Sequence, residues 1–382
     1  MRMINYLALS VLTSALGLTH AALAAPEYRV TIVGPPGSVA TAINNAGAVA
    51  GNHAGNVMGS RAFVNWGRGW VDLRVPGAAS ARVAALNNRG QVLGNWHAVG
   101  GMARGVIWHK GRARDLGIVP GMLATIHTDI NDAGYVTVYA RQEGAFSSYL
   151  RAPNGSLRAL GSLPVDNPIT EAVAINNRNQ ITGGSGEFVF PELQYRAFLW
   201  SRGAMRELVG FGALPTRGLD INDRGQVTGF ASIPFDPPLR VAYIHSNGRF
   251  LDIDSSPPEG RRYSIGESIN NRGHVVGEST YYGTFVYRGW RMESIDALLD
   301  PAPGWRIGTP ARINDAGQIA ANGVRNGVQY AVRLDPIRPG GEALLPTQSS
   351  TETTPQVPDY PDVDAPPDLD AAAREMAQPV QQ

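Results

Sequence analysis

The residues best suited to chemistry are charged side chains at one recurring position, the residue directly before a five-residue segment that repeats along the chain. Asp129, Asp220 and Arg312 occupy that position in three repeats, and Glu267 precedes it by one residue in a fourth. Two carboxylates are the minimum for glycoside hydrolysis, in which one acts as an acid and the other as a base or nucleophile. If the repeats bring these four side chains together, they form a polar site. The simpler explanation is that the acids pair with Arg312 or with backbone groups.

Six aromatic residues form a second candidate site. They lie in segments where three successive repeats are longer between their second and third strands, at Gly184 to Tyr195, Ala231 to Leu239 and Ser279 to Tyr282. An aromatic ring offers an apolar face that stacks on sugars or peptides. We predict one ligand-binding patch on adjacent repeats, and the alternative is that these rings cap the core. The six residues are Phe188, Phe190, Tyr195, Phe235, Tyr281 and Tyr282.

Other chemistries have no support in the sequence. The seven histidines lack zinc-type spacing, and the chain has no cysteine. Asp132, Asp223 and Asp315 stand in turns, but no alternating run of acids ends in a bidentate glutamate, so they do not form calcium loops. Phosphate-loop, G-x-S-x-G and dinucleotide motifs are also missing from the sequence. We therefore predict no metal site, no cofactor and no nucleic-acid partner.

A five-residue turn that occurs seven times positions these candidates. Its first asparagine can bond to backbone two residues further on, and its last residue is Gly in six copies and Asn179 in the other, both of which tolerate positive φ. The spacing of 43 to 48 residues indicates one repeated supersecondary unit. The copies begin at Ile43, Leu86, Ile130, Ile175, Ile221, Ile269 and Ile313.

Each repeat predicts four short antiparallel strands. In the second repeat these are Arg82 to Leu86, Gln91 to Asn95, Gly105 to His109 and Arg112 to Leu116. Four residues after the last turn residue stands a glycine in five copies, and we expect it to permit close approach of a neighbouring sheet. Trp66, Trp108 and Trp200 recur near the end of the third strand, where we expect packing between repeats.

The last repeat has no fourth strand, and an unassigned strand stands before the first. Tyr28 to Gly34 alternates like a strand, whereas after Gln329 to Leu334 the chain enters a Pro-rich segment. Pairing of these two segments would close a ring and remove exposed sheet edges. The sequence therefore predicts an all-β fold: a seven-bladed β-propeller of four-stranded blades, closed by the N-terminal strand joining the last blade.

The repeat resembles that of the HAF-type extracellular repeat proteins, a bacterial family whose unit looks like IN-[DN]-x-G-x-V-x-G followed by H-A-F-[LV]-W. The resemblance covers nearly all of Tyr28 to Leu334. The eponymous histidine is absent, because the triplets here read Arg61-Ala62-Phe63 and Arg196-Ala197-Phe198. The resemblance implies export and a propeller-like fold, and it brings no catalytic residues.

Both ends of the chain differ in composition from the repeats. Residues 1–24 resemble a secretory signal peptide, with Arg2, an apolar run and Ala22-Leu23-Ala24. Residues 25–336 are the predicted propeller, and 337–382 are a Pro-rich acidic tail that we expect to be disordered. From Arg338 onward the tail carries eight acids and two bases, which leaves a mildly basic body. No later stretch is apolar enough to span a membrane, and we predict a secreted or periplasmic monomer.

Three functions fit these features. The first is a secreted, non-catalytic binding or interaction module that takes a carbohydrate or peptide through the loops of repeats four to six. The second is a carbohydrate-active hydrolase or lyase with acids at the mouth of the central channel. The third is a structural, surface-associated protein tethered by its tail. Whether any catalytic activity exists is the point on which the first two differ.

Overall fold

The structure, a computed structural model, describes residues 26–54, 59–142, 145–166, 168–189, 192–208, 215–233, 239–256, 263–300 and 303–337. The predicted signal peptide and acidic tail lie outside these residues, apart from Ile337, as do Phe190 and Phe235. Within the described part, no helix is both long and apolar enough to cross a membrane.

The predicted propeller is confirmed: the strands form seven four-stranded antiparallel sheets. Blades 1 to 6 consist of β2–β5, β6–β9, β10–β13, β14–β17, β18–β21 and β22–β25, and blade 7 combines β26–β28 with β1. We name the strands of each blade a to d from the channel outward. The strands are β1 (Tyr28–Pro36), β2 (Val39–Ile43), β3 (Val49–Ala54), β4 (Ser60–Asn65), β5 (Trp70–Leu73), β6 (Ser80–Leu86), β7 (Val92–His97), β8 (Arg104–His109), β9 (Arg112–Gly117), β10 (Ala124–Ile130), β11 (Val136–Gln142), β12 (Ala145–Arg151), β13 (Leu157–Ala159), β14 (Ile169–Ile175), β15 (Ile181–Val189), β16 (Glu192–Ser201), β17 (Ala204–Glu207), β18 (Thr216–Ile221), β19 (Val227–Ile233), β20 (Leu239–Ser246), β21 (Arg249–Asp252), β22 (Ser264–Ile269), β23 (Val275–Ser279), β24 (Gly283–Arg288), β25 (Arg291–Ser294), β26 (Arg306–Ile313), β27 (Ile319–Arg325) and β28 (Val328–Pro336).

The repeated turn joins strands a and b of every blade. In blade 1, Gly47 N donates to Asn44 O at 2.9 Å, and Asn44 N donates to Ala48 O at 3.1 Å. Gly47 has φ 76°, and Asn179 adopts the same left-handed region with φ 56°. The a–b turns lie on one face of the ring together with the c–d turns, because alternate hairpins of an antiparallel sheet reverse at the same end.

The N-terminal strand closes the ring as predicted. β1 pairs antiparallel with β28, with Tyr28 opposite Pro336 and Ile32 opposite Val332. The Thr31 hydroxyl also donates to Asp335 Oδ2 at 2.8 Å. This pairing supplies the fourth strand that the last repeat lacks, so the first and last segments of the described chain share one sheet.

The glycine of strand b serves a different purpose from the one predicted. In every blade the pairing register of strands a and b shifts two or three residues before the a–b turn. The glycine lies opposite this bulge: a Cβ at Gly51 would stand 2.1 Å from Val39 O, and one at Gly183 would stand 2.0 Å from Glu171 O. The close approach therefore comes from the bulged innermost strand of the same blade, and not from a neighbouring sheet.

The hydrophobic core lies mainly between blades. Val64 of blade 1 packs in one buried cluster with Val92 and Trp108 of blade 2. Trp200 of blade 4 packs with Leu150 of blade 3, so these two tryptophans confirm the predicted packing between repeats. Trp66 lies one residue later, in the c–d turn, and is 49% exposed. Its ring still meets the next blade, because a Cβ at Gly90 of blade 2 would stand 3.4 Å from it.

We expect Gly51→Ala to destabilise the propeller by about 1–3 kcal/mol, because the added methyl group meets the Val39 carbonyl of the bulge. Gly308→Ala is the matched control, since its Cβ would meet only Asn322 O, at 3.4 Å. Urea denaturation monitored by tryptophan fluorescence measures both variants. Equal stability of the two variants would contradict the role assigned to this glycine.

Candidate functional site

The first asparagine of every a–b turn links its blade to the next one. Its Nδ2 group donates to the backbone carbonyl of the equivalent asparagine in the following blade, at 2.9–3.3 Å. Each of these asparagines is 3–5% exposed, so the bonds are shielded from water. The seven bonds form a closed ring around the channel through Asn44, Asn87, Asn131, Asn176, Asn222, Asn270 and Asn314.

The second turn residue forms another closed ring. Its backbone N–H donates to the side-chain Oδ1 of the equivalent residue in the next blade, at 2.8–3.0 Å. Sequence reasoning attributed the acids of these turns to the chemistry of single hairpins, whereas their carboxylates bond between blades. The ring runs through Asn45, Asn88, Asp132, Asn177, Asp223, Asn271 and Asp315.

The alternation of asparagine and aspartate in this second ring has a physical cause. The Asn177 amide donates to both flanking carboxylates, Asp132 and Asp223, each at 3.1 Å. Asn271 does the same between Asp223 and Asp315. A carboxylate can only accept, so each aspartate needs donors on both sides. The order of Asn and Asp along the seven copies was the sequence signal that pointed to this ring.

Two of the predicted channel acids also join blades. Asp129 accepts backbone N–H bonds from Ile130 of its own strand and from Ile175 of blade 4, both at 2.9 Å. Asp220 accepts from Ile221 and from Ile269 of blade 6, again at 2.9 Å. The Ser268 hydroxyl donates to Asp220 Oδ2 at 2.7 Å. Every carboxylate oxygen of this pair therefore holds a structural hydrogen bond.

Arg312 and Glu267 complete the predicted polar cluster. The Arg312 guanidinium donates to Glu267 O at 3.3 Å and interacts electrostatically with the carboxylates of Asp220, Asp129 and Glu267. Burial raises the pKa of Asp129 to about 6, although Arg312 and the backbone donors act in the opposite sense. Burial also raises the pKa of Glu267. The structure thus brings these four half-buried residues into one network.

A second network, which sequence reasoning missed, lies toward the opposite end of the channel. Arg217 of blade 5 pairs with Glu171 of blade 4 at 2.5 Å, and its guanidinium lies 5.1 Å from the ring centre of Tyr195. Glu171 raises the pKa of Tyr139 in addition to the larger effect of burial. Glu171 and Arg217 each stand four residues before the first residue of the repeated turn. Opposite charges at equivalent positions of successive repeats were therefore the sequence signal available for this ion pair.

The predicted aromatic residues do not share one environment. The segment from Gly184 to Tyr195 is largely a hairpin and not a loop, because β15 continues to Val189 and β16 begins at Glu192. Tyr195 pairs with Gly186 inside that sheet, and its side chain is buried. Phe188 is 58% exposed and Tyr281 is 62% exposed.

Tyr281 and Tyr282 contact each other edge to face, with ring centres 4.8 Å apart. The Tyr282 hydroxyl lies 3.4 Å from Ser255 O, and its ring packs against the core cluster of blades 5 and 6. Tyr281, Tyr282 and Phe188 lie on b–c hairpins. They therefore share the face opposite the a–b turns, which we call the b–c face.

A groove of about 740 Å³ opens on the b–c face between the linker before blade 1 and the start of blade 3. Its walls combine Trp96, His53, His97 and Arg82 with polar residues of strand b. Asn52 and Asn95 fix these walls, because their Oδ1 atoms accept the backbone N–H groups of Val83 and His127 in the next blade. The longer segments of blades 4 to 6 directed sequence reasoning away from this groove.

His127 is buried between blades 2 and 3, beside the groove. A Cβ at Gly105 of blade 2 would stand 2.3 Å from the His127 ring, so the glycine makes room for the imidazole. Its Nδ1 atom has no hydrogen-bond partner among the described residues. Burial, assisted by the Arg151 guanidinium, lowers the pKa of His127 to about 4.

No protein-family model matches the chain, and no curated protein matches it. Solved structures match it in fold. The β-propeller domain of the Trilobed protease from Pyrococcus furiosus, with an open velcro topology, is 8% identical, covers 82% of this chain and 99% of its own, and has a TM-score of 0.53. Virginiamycin B lyase from Staphylococcus aureus, in a catalytically inactive form with quinupristin, is 8% identical, covers 81% and 99%, and has a TM-score of 0.50. At this identity the likeness shows the propeller fold alone.

We expect Asn177→Asp to lower the free energy of unfolding by about 1–3 kcal/mol, because it removes two donors and places three carboxylates in a row. The loss should shrink at high salt, where the repulsion between the carboxylates is screened. Arg178→Ala, an exposed change at the next residue, is the control for denaturant titration. A salt-independent loss would contradict the electrostatic explanation.

The buried imidazole predicts a pH dependence of stability. The unfolded chain binds a proton at His127 below about pH 6.5, whereas the folded chain binds it only near pH 4. The contribution is fully present above pH 6.5 and falls by about 3 kcal/mol as the pH drops through 4. Asp129 acts in the opposite sense over this range, so the quantity to measure is the stability difference between wild type and His127→Gln at each pH. A difference that stays constant from pH 7 to pH 4 would show that His127 is not held neutral.

Proposed function

We propose that this chain is an exported, non-catalytic binding module that takes a carbohydrate on the b–c face of its propeller. The observation that supports this most is the groove of about 740 Å³ on that face, which has the size of a small-molecule site. The HAF-type resemblance agrees with export and with an extracellular ligand. A tethered structural role remains the alternative for the acidic tail.

The composition of the groove favours a sugar. Trp96 is half-buried against the core cluster of blades 1 and 2, and the exposed part of its ring can serve as an aromatic platform. Its Nε1–H donates to Asp115 at 3.3 Å, and the Arg104 guanidinium lies 5.8 Å from its ring centre. His97 and Arg82 are exposed polar groups on the groove wall, and they can bond to hydroxyl groups. Sugars combine apolar ring faces with a rim of hydroxyls, which this mixture of groups matches.

Exposed rings elsewhere on the same face favour a polymer over a single sugar. Tyr281 and Phe188 stand on the hairpins of blades 6 and 4, so a chain bound in the groove can extend across the face toward them. In this proposal the loops predicted from the sequence serve as secondary contacts, and the groove is the primary site. A peptide is the alternative ligand, which the binding experiment below distinguishes.

The alternative of a carbohydrate-active hydrolase or lyase depends on the channel acids. The raised pKa of Asp129 is a property expected of a general acid. However, both oxygens of Asp129 accept backbone N–H bonds, and Asp220 is held in the same way. A general acid must reach its substrate with a free oxygen, so these carboxylates fit a structural role better.

We expect Trp96→Leu to weaken binding to soluble polysaccharides about tenfold, because it removes a stacking face while keeping apolar volume. Tyr281→Ala should weaken binding of long chains and leave short oligosaccharides unaffected. Affinity electrophoresis and calorimetry against a polysaccharide panel measure these effects. The matched control is Trp290→Ala, because Trp290 is 79% exposed in a c–d turn on the other face.

Three results would count against the proposal. One is equal loss of binding in the Trp290→Ala control, and another is binding of peptides but of no polysaccharide. The third is turnover of a polysaccharide that disappears in Asp129→Asn and Asp220→Asn variants whose folding is intact. That last result would establish the hydrolase or lyase alternative, because a structural role of these acids alters stability and not turnover in folded protein.

A further inference from the structure

The face that carries the a–b and c–d turns is rich in exposed arginine. The repeated turn places an arginine in four blades at Arg89, Arg178, Arg224 and Arg272, and the c–d hairpins add others. Arginines of the strands, such as Arg104 and Arg196, form ion pairs with acids of the same blade. The exposed arginines of this face, which we call the basic face, include Arg68, Arg89, Arg112, Arg178, Arg202, Arg224, Arg249, Arg272 and Arg291.

The carboxylates on the basic face are already engaged. Asp132, Asp223 and Asp315 accept hydrogen bonds from neighbouring turns on both sides, close to the channel axis. The arginines stand further out, on the turn residue after this ring and on the c–d turns. The basic face therefore presents a positive rim around a small, internally bonded acidic centre, and such a rim attracts polyanions.

The opposite face carries charges of both signs, including the exposed side chains of Arg82, Arg141 and Arg306. Its connections between strands include Asp166, Glu187, Asp296 and Asp300, which are exposed or half-buried. An acidic segment near the ring thus meets mixed charge on the b–c face and an excess of positive charge on the basic face, so the basic face attracts it more strongly. The formal net charge of +1 does not show this difference in surface charge between the two faces.

The chain leaves the propeller on the basic face. Ile337 N donates to Glu27 O at 2.8 Å at the end of β28, and a Cβ at Gly317 of the blade 7 a–b turn would lie 3.7 Å from the Pro336 ring. The sequence from Arg338 onward adds eight acids and two bases in 45 residues. The most acidic part of that sequence is Asp359 to Asp370.

The length of this segment is sufficient for it to reach the rim. Forty-five residues can span at most about 150 Å when fully extended. Four strands spaced by about 4.8 Å place the outer strand of a blade only about 15 Å from the inner one. The segment can therefore contact arginines of several blades without unfolding any of them, and tethering raises its local concentration to the millimolar range.

We infer that the basic face is a docking surface for the acidic C-terminal segment of the same chain. Asp359 to Asp370 pairs with the arginine rim through many weak, interchangeable contacts, each of which is screened by salt. Docking there covers the a–b face and leaves the groove on the b–c face open. The inference is independent of the proposed carbohydrate binding, because it involves the other face.

Fluorescence energy transfer tests this contact in the full chain. The protein has no cysteine, so Ser156→Cys in a c–d turn and Val363→Cys in the acidic segment provide two unique labelling sites. We expect efficient transfer at low salt, which falls about twofold at 0.5 M NaCl because the Debye length shrinks. The triple variant Arg178→Glu, Arg224→Glu, Arg272→Glu should show the same loss at low salt.

Two further variants make the test specific. A second basic-face variant, Arg68→Glu, Arg202→Glu, Arg249→Glu, changes only the c–d hairpins and leaves the a–b turns that bond between blades intact. It should lose energy transfer as well, which would show that the loss in the first variant does not come from distortion of the a–b turns. The control variant Arg82→Glu, Arg141→Glu, Arg306→Glu alters the net charge equally but lies toward the b–c face, and it should retain efficient transfer. Circular dichroism confirms folding of each variant.

The inference would be overturned if the control and basic-face variants lost transfer equally, or if none of them lost it. Transfer that rises with protein concentration in mixtures of singly labelled chains would also overturn it, because the segment would then dock on a second copy. Transfer at low salt that is independent of concentration, and that is lost only in the two basic-face variants, supports docking within one chain.

Discussion

Closure of the ring by asparagine side chains is the constraint on which the rest of the structure depends. A blade cannot bury its faces alone, so every interface between blades must form at once for the propeller to be stable. The Asn44 amide bonds to the carbonyl of Asn87, and the series returns to Asn44 from Asn314. Because each donor is buried and bonds to backbone, a change of register in one blade would leave an amide unsatisfied in the next.

The polar lining of the channel follows from the same requirement. Innermost strands bend at their bulges, and the residues beyond the bulge must satisfy backbone N–H groups of the adjacent blade. Asp129 and Asp220 do this with their Oδ2 atoms, whereas their Oδ1 atoms accept from their own strands. Ser268 does it with its hydroxyl for Ile313, at 3.3 Å. Charges that look like catalytic candidates in the sequence are thus used to join blades, and Arg312 offsets their negative charge.

The two faces of the propeller are under different structural constraints because of the direction of the strands. Turns that close the ring all lie on one face, so their residue types are restricted by the inter-blade bonds. Among the described residues, the hairpins on the b–c face have no hydrogen bond that recurs in all seven blades, and they differ in length from blade to blade. The groove beside Trp96 and the exposed Tyr281 ring lie there, where sequence can vary without loss of closure.

The sequence by itself determined the number of blades, their four strands and the pairing of Tyr28–Pro36 with the last repeat, because these depend on local turn chemistry and on a period that can be counted. It also singled out Asp129, Asp220, Glu267 and Arg312. Only the tertiary structure decided that these acids bond to backbone, that Tyr195 is buried in an extended hairpin, and that the glycine of strand b faces a bulge. Asp129 bonds to Ile175, 46 positions further on, and the glycine faces a carbonyl of another strand of its blade. A turn motif encodes neither contact, because it does not specify which atoms the neighbouring strand presents.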